Sequence, residues 1–248
     1  QLAWDTPVEP EGDIIPPAIN PLVDYRPFQK LDAKERARLR HAQISLQLSQ
    51  FLHGEQGALI VASQLVGGVP WMDAKYYAGT QTMDEARHVE AYARLLHEKF
   101  ELAYPITPGL KTLLEQTISD SRWDMTYLGM QVMVEGLALA AFGFLHQMTE
   151  DPLLKQLLRY VMSDEARHVA FGVLSLKEYY AELTDAEMLE RQEFAFEAAV
   201  RMRDRMLFQK EVWEHFGVDP KMAIELLRTT PEAELFGHSK GAFTGAVS

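Results

Sequence analysis

The six-residue sequence DEARHV occurs twice in this chain of 248 residues, and the two copies start 80 residues apart. Both copies lie in long runs of helix-forming residues. Residues three apart share one face of a helix, so Glu85 and His88 point in the same direction, as do Glu165 and His168. One such pair is common on a helix surface, but two identical copies on largely apolar helices predict a shared internal site.

A further Glu lies 30 residues before each motif Glu, again with a spacing of 80 between the two halves. Glu55 lies in GEQGALIVA and Glu135 in VMVEGLALAAF, where the apolar neighbours offer a carboxylate no partner. Four carboxylates buried together would be very unfavourable, and two divalent cations would cancel their charge. Carboxylate and imidazole ligands suit iron or manganese. The pattern predicts a bundle in which two helices each supply a Glu and two others each supply Glu-x-x-His.

The composition narrows the other functions open to the chain. There is no cysteine, so disulfides, thiolate nucleophiles and cysteine-ligated zinc or iron–sulfur sites are excluded. The formal net charge of −12 argues against nucleic acid or an anionic membrane surface as a partner. The most apolar stretch, residues 128–146, carries Gln131 and Glu135, which indicates a buried core helix rather than a membrane span. No signal peptide pattern is visible, and we expect a cytoplasmic location.

Helical signals continue almost without interruption from residue 31 onward. Residues 1–30 contain six of the twelve prolines, and we expect them to form an extended arm that lies on the body. Residues 31–235 are predicted to be one all-α domain, and residues 236–248 a flexible tail. Long helices are predicted over about 32–66, 70–101, 122–149, 152–182 and 185–217, with short helices over about 110–118 and after Pro220.

From Phe51 to Val173, about half of the chain, the sequence resembles the ferritin-like di-iron carboxylate oxidases and oxygenases. The motifs that carry the resemblance are GEQ at Glu55, VEG at Glu135 and the two DEARH sequences. The family includes ribonucleotide reductase small subunits, bacterial multicomponent monooxygenase hydroxylases and stand-alone oxygenases. It implies a ferritin-like four-helix bundle with additional C-terminal helices and an extended N-terminal arm.

The resemblance also implies a centre of two iron ions, with manganese or a mixed manganese–iron pair left open because identical ligands serve both metals. Each ion would have three ligands, and at least one carboxylate would bridge the two ions. The implied ligands are Glu55, Glu85 and His88 for one ion and Glu135, Glu165 and His168 for the other.

In this family the Asp that opens each motif holds the ligand His of the opposite motif. That would pair Asp84 with His168 and Asp164 with His88. A ligand His needs an acceptor for its other ring nitrogen, so the chemistry supports the same pairing. The Arg of each motif is expected to neutralise these carboxylates; the two are Arg87 and Arg167.

The activity implied is that of a small non-heme di-iron oxygenase or oxidase, which uses O2 as co-substrate and a ferredoxin-type electron donor. Apolar residues near the ligands predict a small apolar or aromatic substrate; they are Phe51, Leu59, Leu139, Phe142 and Val161. The long fifth helix either covers the bundle or forms a homodimer, and the sequence does not choose between these.

Two other functions stay open. Tyr92 lies four residues after His88, where radical-forming reductase subunits keep a tyrosine, so a radical-generating subunit is one alternative. A non-catalytic iron-binding protein of the ferritin type is the other. Leu139 stands where methane and toluene monooxygenase hydroxylases carry Thr, and Val161 where arylamine N-oxygenases carry a third His, so neither of those groups is a close match.

Overall fold

The computed structural model describes residues 2–9, 12, 14–16, 26–207, 219 and 221. Over these residues the chain is helical, without any strand, and the predicted all-α class is confirmed. The α-helices are α1 (Arg26–Lys30), α2 (Ala33–Gly68), α3 (Met72–Arg94), α4 (Pro108–Ser119), α5 (Trp123–Tyr127), α6 (Glu135–Met148), α7 (Pro152–Tyr180) and α8 (Asp185–Leu207). The predicted tail and nearly all of the predicted helix after Pro220 lie outside the described residues.

Two of the long helices begin at side-chain caps that are readable in the sequence. The Asp32 carboxylate accepts a hydrogen bond from the Glu35 amide at 2.8 Å, and the Glu35 carboxylate accepts from the Asp32 amide at 2.9 Å. This reciprocal capping box satisfies two amides that the first turn of α2 leaves free. Asp151 caps α7 in the same sense, accepting from the Leu154 amide at 2.7 Å, and Pro152 suits the first helical position.

Two π-helical segments interrupt the α-helical geometry. One, Leu95–Phe100, continues α3, and the other, Leu128–Val134, joins α5 to α6. Trp123–Met148 is therefore one continuous helix with a wider turn directly before Glu135. A π-helical turn changes which side chains face the neighbouring helix, and such turns are frequent at functional sites. The sequence predicted the continuous helix but not its widened segment.

The long helices pack as two pairs, α2 with α3 and α6 with α7, each joined by a short connection. Each pair contains one helix with a single buried Glu and one helix with a Glu-x-x-His motif. Two clusters of buried apolar side chains hold the pairs together, one around Phe51, Tyr92 and Phe142 and the other around Leu65 and Tyr127. The packing brings the four motif-bearing helices around one interior.

The described part of the N-terminal arm lies on the body, as expected from its prolines and apolar residues. Its apolar side chains pack against the first cluster, and the guanidinium of Arg94 lies 4.4 Å from the ring centroid of Trp4. The Ile14 carbonyl accepts hydrogen bonds from the Glu150 amide and the Thr149 hydroxyl. The arm is not extended as far as residue 30, because Arg26–Lys30 is helical with Phe28 buried. Proline is compatible with a first helical turn, so Pro27 does not prevent this helix.

The described part of α8 packs against α4 and the π-helical segment before α6. Ala198 is buried there, and Phe194 contacts the second apolar cluster. The guanidinium of Arg191 lies 3.0 Å from the Asp124 carboxylate, and both side chains are buried. Of the two arrangements open for this helix, it adopts the one that covers its own bundle.

The helix Trp123–Met148 is long and apolar enough to cross a membrane by length and composition, with a mean hydropathy of 1.7 over its most apolar window. Half of that window is buried inside the protein. Gln131 and Glu135 are both buried within it. A core helix of a globular protein has the same length and composition.

Candidate metal centre

The six predicted ligands are supplied by four helices. Glu55 lies in the middle of α2, and Glu135 is the first residue of α6 after the π-helical turn. Each of the other two helices supplies a Glu-x-x-His pair, α3 at Glu85 and α7 at Glu165. All six side chains are buried, with at most 5% of each exposed. Charged residues are rarely buried to this extent unless they are paired or bind a metal.

These side chains form two overlapping groups of four. Within each group, one oxygen or nitrogen from every residue lies within 4.8 Å of the others. The first group is Glu55, Glu85, His88 and Glu165, and the second is Glu85, Glu135, Glu165 and His168. Because Glu85 and Glu165 belong to both groups, they lie between two positions where a metal ion could bind. The sequence predicted at least one such shared carboxylate, and the geometry provides two.

Both histidines present Nδ1 to the carboxylates and Nε2 to an aspartate. Nδ1 of His88 lies 3.1 Å from a Glu165 oxygen, and its Nε2 lies 3.2 Å from Oδ2 of Asp164. Nε2 of His168 lies 3.4 Å from Oδ2 of Asp84. An Nε2–H that donates to aspartate leaves the Nδ1 lone pair free for a metal ion. These are the cross-motif contacts that the resemblance implied.

The arginines of the two motifs contact the same aspartates. Arg87 donates to Asp84, and Nη2 of Arg167 lies 2.6 Å from Oδ1 of Asp164. Arg167 also lies 3.6 Å from Asp84, so it contacts both carboxylates. Hydrogen bonds from His88 and then from Arg167 lower the pKa of Asp164 to about 2, although partial burial opposes them. This aspartate therefore stays ionised as an acceptor for the imidazole.

Burial and charge repulsion shift the pKa values of the cluster strongly. Burial, reinforced by the Glu165 carboxylate, raises the pKa of Glu55 and of Glu135 well above the ordinary value. Burial also opposes ionisation of Glu85, but hydrogen bonds from both histidines outweigh it and lower its pKa to about 2. Burial lowers the pKa of His168, yet hydrogen bonds to Glu165 and Glu85 raise it to about 11. In the absence of a cation, protons on two acids and two imidazoles balance the charge of the cluster; the second imidazole is that of His88, whose pKa is raised in the same way.

Several donor atoms in the cluster have no hydrogen-bond partner. They are Oε2 of Glu85, Oε2 of Glu135, both oxygens of Glu165 and Nδ1 of His168, and all are buried. A buried polar atom without a partner is destabilising, and most such atoms in proteins are paired. Carboxylate oxygens together with two imidazole nitrogens form a donor set that suits divalent iron or manganese. The residues therefore fit a pair of divalent cations.

Comparison with known proteins adds no identification. No protein-family model, curated protein or solved structure matches this chain. The family resemblance expected from the motifs stays a prediction, and the chemistry of the cluster follows from its own donor atoms.

Two buried glutamines that the sequence did not single out as site residues also belong to the cluster. Nε2 of Gln81 donates to Glu85 at 3.2 Å and to Glu135 at 3.1 Å, and Nε2 of Gln131 donates to Gln81 at 3.4 Å. Gln81 lies one helical turn before Glu85 on the same face of α3, and this spacing could have revealed it. Comparison of the two halves hides it, because the residue 80 positions later is Val161.

A small cavity of about 20 Å³ adjoins the cluster on the side of Glu55, Glu135 and Glu165. It is lined by Gln50, Phe51, Gly54, Glu55, Ala58, Val134, Glu135, Ala138, Phe142 and Glu165. A volume of this size holds roughly one water molecule. The walls opposite the carboxylates are largely apolar.

The structure corrects the predicted pocket at three positions. Phe51 and Phe142 line this cavity, whereas Leu59, Leu139 and Val161 do not. Ala58 and Ala138, three residues after the ligand Glu of their helices, face it instead. Consecutive side chains on a helix are rotated by about 100°, so the leucines one residue further on lie on a partly buried flank. Val161 packs in the first apolar cluster.

Tyr92 lies beside the site, as its spacing from His88 predicted. It is fully buried, and its ring centroid is 6.1 Å from those of Phe51 and Phe142. Its hydroxyl has no hydrogen-bond partner. Burial, and after it the Glu55 carboxylate, raises the pKa of Tyr92 well above its ordinary value. Redox activity of this side chain stays a prediction.

Proposed function

We propose that this protein is a ferritin-like di-iron oxygenase or oxidase that uses O2 to oxidise a small organic substrate. The observation that carries the proposal is the pair of four-residue groups that share Glu85 and Glu165. Two ions held by carboxylates and Glu-x-x-His pairs on four helices form the centre of ferritin-like di-iron proteins. When bound, two ferrous ions would supply the electrons for the reduction of O2.

The ligands would be divided between the two ions by position. Glu55 and His88 would hold one ion, Glu135 and His168 would hold the other, and the two shared carboxylates would bridge them. Asp84 and Asp164 would fix the orientation and the tautomer of the two imidazoles, because each accepts from an Nε2–H. The ligands lie on helices that are themselves packed in the core, so the site would hold its geometry before a cation binds.

The surroundings of the cavity support an apolar substrate and a dry site. The rings of Phe51 and Phe142 are in edge-to-face contact at 4.6 Å and separate the cavity from the rest of the core. Only a molecule of about the size of water fits into this volume. An organic substrate would reach the carboxylates only after the aromatic side chains move. We include a ferredoxin-type electron donor in the proposal, because an oxygenase of this class needs external electrons.

The test is metal content and O2 consumption of protein loaded with Fe(II) under anaerobic conditions. We expect about two ions per chain and O2 consumption that apolar or aromatic compounds accelerate. Glu135→Gln and Glu165→Gln should each lower the metal content and abolish consumption. Glu115→Gln is the matched control, because Glu115 is exposed and paired with Lys111. Protein that binds no metal, or binds it without consuming O2, would contradict the proposal.

A radical-generating subunit is a second candidate, favoured by the burial of Tyr92 beside Glu55. Electron paramagnetic resonance after exposure of the Fe(II) protein to O2 separates the two functions. A persistent organic radical that is lost in Tyr92→Phe would favour the radical-generating function. A non-catalytic storage protein would instead take up many iron ions per chain rather than a fixed ratio near two.

A further inference from the structure

A series of aromatic rings leads away from the candidate metal centre at His168. The ring of Tyr77 on α3 lies edge-on to the His168 imidazole, with centroids 6.5 Å apart. Tyr77 stacks on Phe171 of α7 at 3.8 Å, and Phe171 lies 6.1 Å from Tyr127 of α5. Three helices therefore contribute to one continuous set of ring contacts.

The series continues to the protein surface. Tyr127 lies 5.8 Å from Trp123, and Trp123 is in edge-to-face contact with Trp71 at 5.2 Å. Trp71 lies in the turn between α2 and α3, with 46% of its surface exposed. His168, at the other end, is 1% exposed. The rings thus connect a buried candidate ligand with an indole in contact with solvent.

The other side of the centre has no such connection in the described part of the chain. There, Tyr92 contacts Phe51 and Phe142, and these three rings contact one another. All three are buried. The ring contacts that reach an exposed indole therefore start from His168 and not from the cluster around Tyr92.

We propose that the rings from Tyr77 to Trp71 form a path for single electrons between the metal centre and the surface. The proposal rests on the proposed function, because it requires a redox-active metal pair. In the inward direction, the Trp71 indole gives one electron through the rings to the oxidised metal pair, which is reduced by one electron. A soluble or protein-bound one-electron reductant then returns one electron to the indole. The net change is one electron from the reductant to the metal pair, and the rings end unchanged.

The tryptophans, rather than the tyrosines, are the residues on which an oxidised state can rest. A phenol that loses an electron also loses its proton, and the buried hydroxyl of Tyr77 has no hydrogen-bond acceptor. Tyr77 and Phe171 therefore serve as bridges. An indole can lose an electron before its proton, and Trp71 has water next to it. The radical expected on this path is a tryptophan radical.

The absence of cysteine from the sequence allows a direct test. Met72→Cys places a single thiol at an exposed position next to Trp71, where a ruthenium polypyridyl photosensitiser can be attached. A flash with a sacrificial electron acceptor converts the label into a one-electron oxidant. In Fe(II)-loaded anaerobic protein, one electron then moves outward, so that one Fe(II) becomes Fe(III) and the label is restored. Transient absorption follows the indole radical, and electron paramagnetic resonance follows the oxidised metal pair.

We expect metal oxidation to slow several-fold in Trp71→Leu, Trp123→Leu and Phe171→Leu, each combined with Met72→Cys. Trp4→Leu is the matched control, since Trp4 packs on Arg94 away from the path. Trp71→Leu changes an exposed side chain, so it keeps the test valid if a buried variant melts early. Equal rates in all variants with normal metal content overturn the path alone. Protein without bound metal overturns the proposed function and the path with it, and metal analysis before the flash separates the two results.

Discussion

At the scale of single residues, the two halves of the centre have the same donors but different neighbours. Glu135 accepts a hydrogen bond from Gln81, whereas its counterpart Glu55 contacts His88. The residues 80 positions from Gln81 and Gln131 are Val161 and Phe51, which cannot donate hydrogen bonds. Oε2 of Glu135 is left without a partner and is free to bind a cation. We therefore expect the two metal positions to differ in affinity.

Gln81→Met should weaken metal binding at the position formed by Glu135 and His168. The change keeps the side-chain volume similar but removes the donor that orients Glu135, and loss of such an outer hydrogen bond typically weakens metal affinity about 10–100-fold. Titration with Mn(II), followed by electron paramagnetic resonance, measures the two affinities. Gln50→Met is the control, because Gln50 is also buried but bonds the backbone at Pro105 and Thr107. Equal losses in the two variants would contradict this role for Gln81.

The stability of the metal-free protein should fall as the pH rises. Burial raises the pKa of Glu55 and Glu135 in the folded state, and hydrogen bonds to carboxylates raise that of His168 to about 11 despite burial. A group whose pKa is raised by folding stabilises fully below its unfolded value, about 6.5 for His, and loses this contribution as the pH rises through the folded value.

Metal binding should show the opposite dependence on pH. The cation needs deprotonated ligands, so loading releases on the order of four protons, two from acids and two from imidazoles. The gain in Tm on addition of Mn(II) should therefore widen between pH 6 and pH 9. Scanning calorimetry of metal-free and loaded protein measures this difference. A gain that stays constant over this range would show that the cluster does not exchange protons for the cation.

At the scale of helices, the π-helical turn and a glycine on the facing helix depend on each other. A Cβ at Gly172 of α7 would lie 2.6 Å from Cβ of Gln131, which is closer than real atoms approach. Gln131 lies within the widened segment Leu128–Val134. Only glycine lets α7 approach this segment closely enough for Gln131 to reach Gln81.

Gly172→Ala should destabilise the protein and loosen the metal site together. The added methyl overpacks the contact with Gln131, which costs about 1–3 kcal/mol of unfolding free energy. Gly79→Ala is the control, because a Cβ at Gly79 meets nothing within 4 Å and alanine favours a helix by up to about 1 kcal/mol. Denaturant unfolding and Mn(II) titration of both variants measure the effects. Equal stability and affinity in the two variants would mean that the contact is not tight.

At the scale of the whole molecule, α8 is attached to the bundle by a buried ion pair. Arg191→Met leaves the Asp124 carboxylate buried without its cation, and breaking a buried pair in this way costs about 3–5 kcal/mol. Asp124→Leu combined with Arg191→Met should recover much of the loss. Arg122→Met is the control, since Arg122 is more exposed and such pairs contribute about 1 kcal/mol or less. Denaturant unfolding distinguishes these outcomes, and similar losses at Arg191 and Arg122 would contradict the role of burial.

The sequence by itself determined the helical class, the helix ends at Asp32 and Asp151, and the convergence of the six Glu and His side chains. These follow from local rules, because caps act within one turn and a spacing of three residues places two side chains on one face. The exact repeat of 80 residues then related the two helix pairs to each other. The cross-motif contacts of Asp84 and Asp164 followed from the resemblance.

Only the tertiary structure decided which neighbours surround these donors. The π-helical turn before Glu135, the contact of Gly172 with Gln131 and the donation from Gln81 depend on how closely two helices approach. The choice of Ala58 over Leu59 at the cavity depends on a rotation of about 100° per residue, which a spacing of three or four residues leaves unresolved. The aromatic rings from His168 to Trp71 come from segments far apart in the chain, and packing alone brings them into contact.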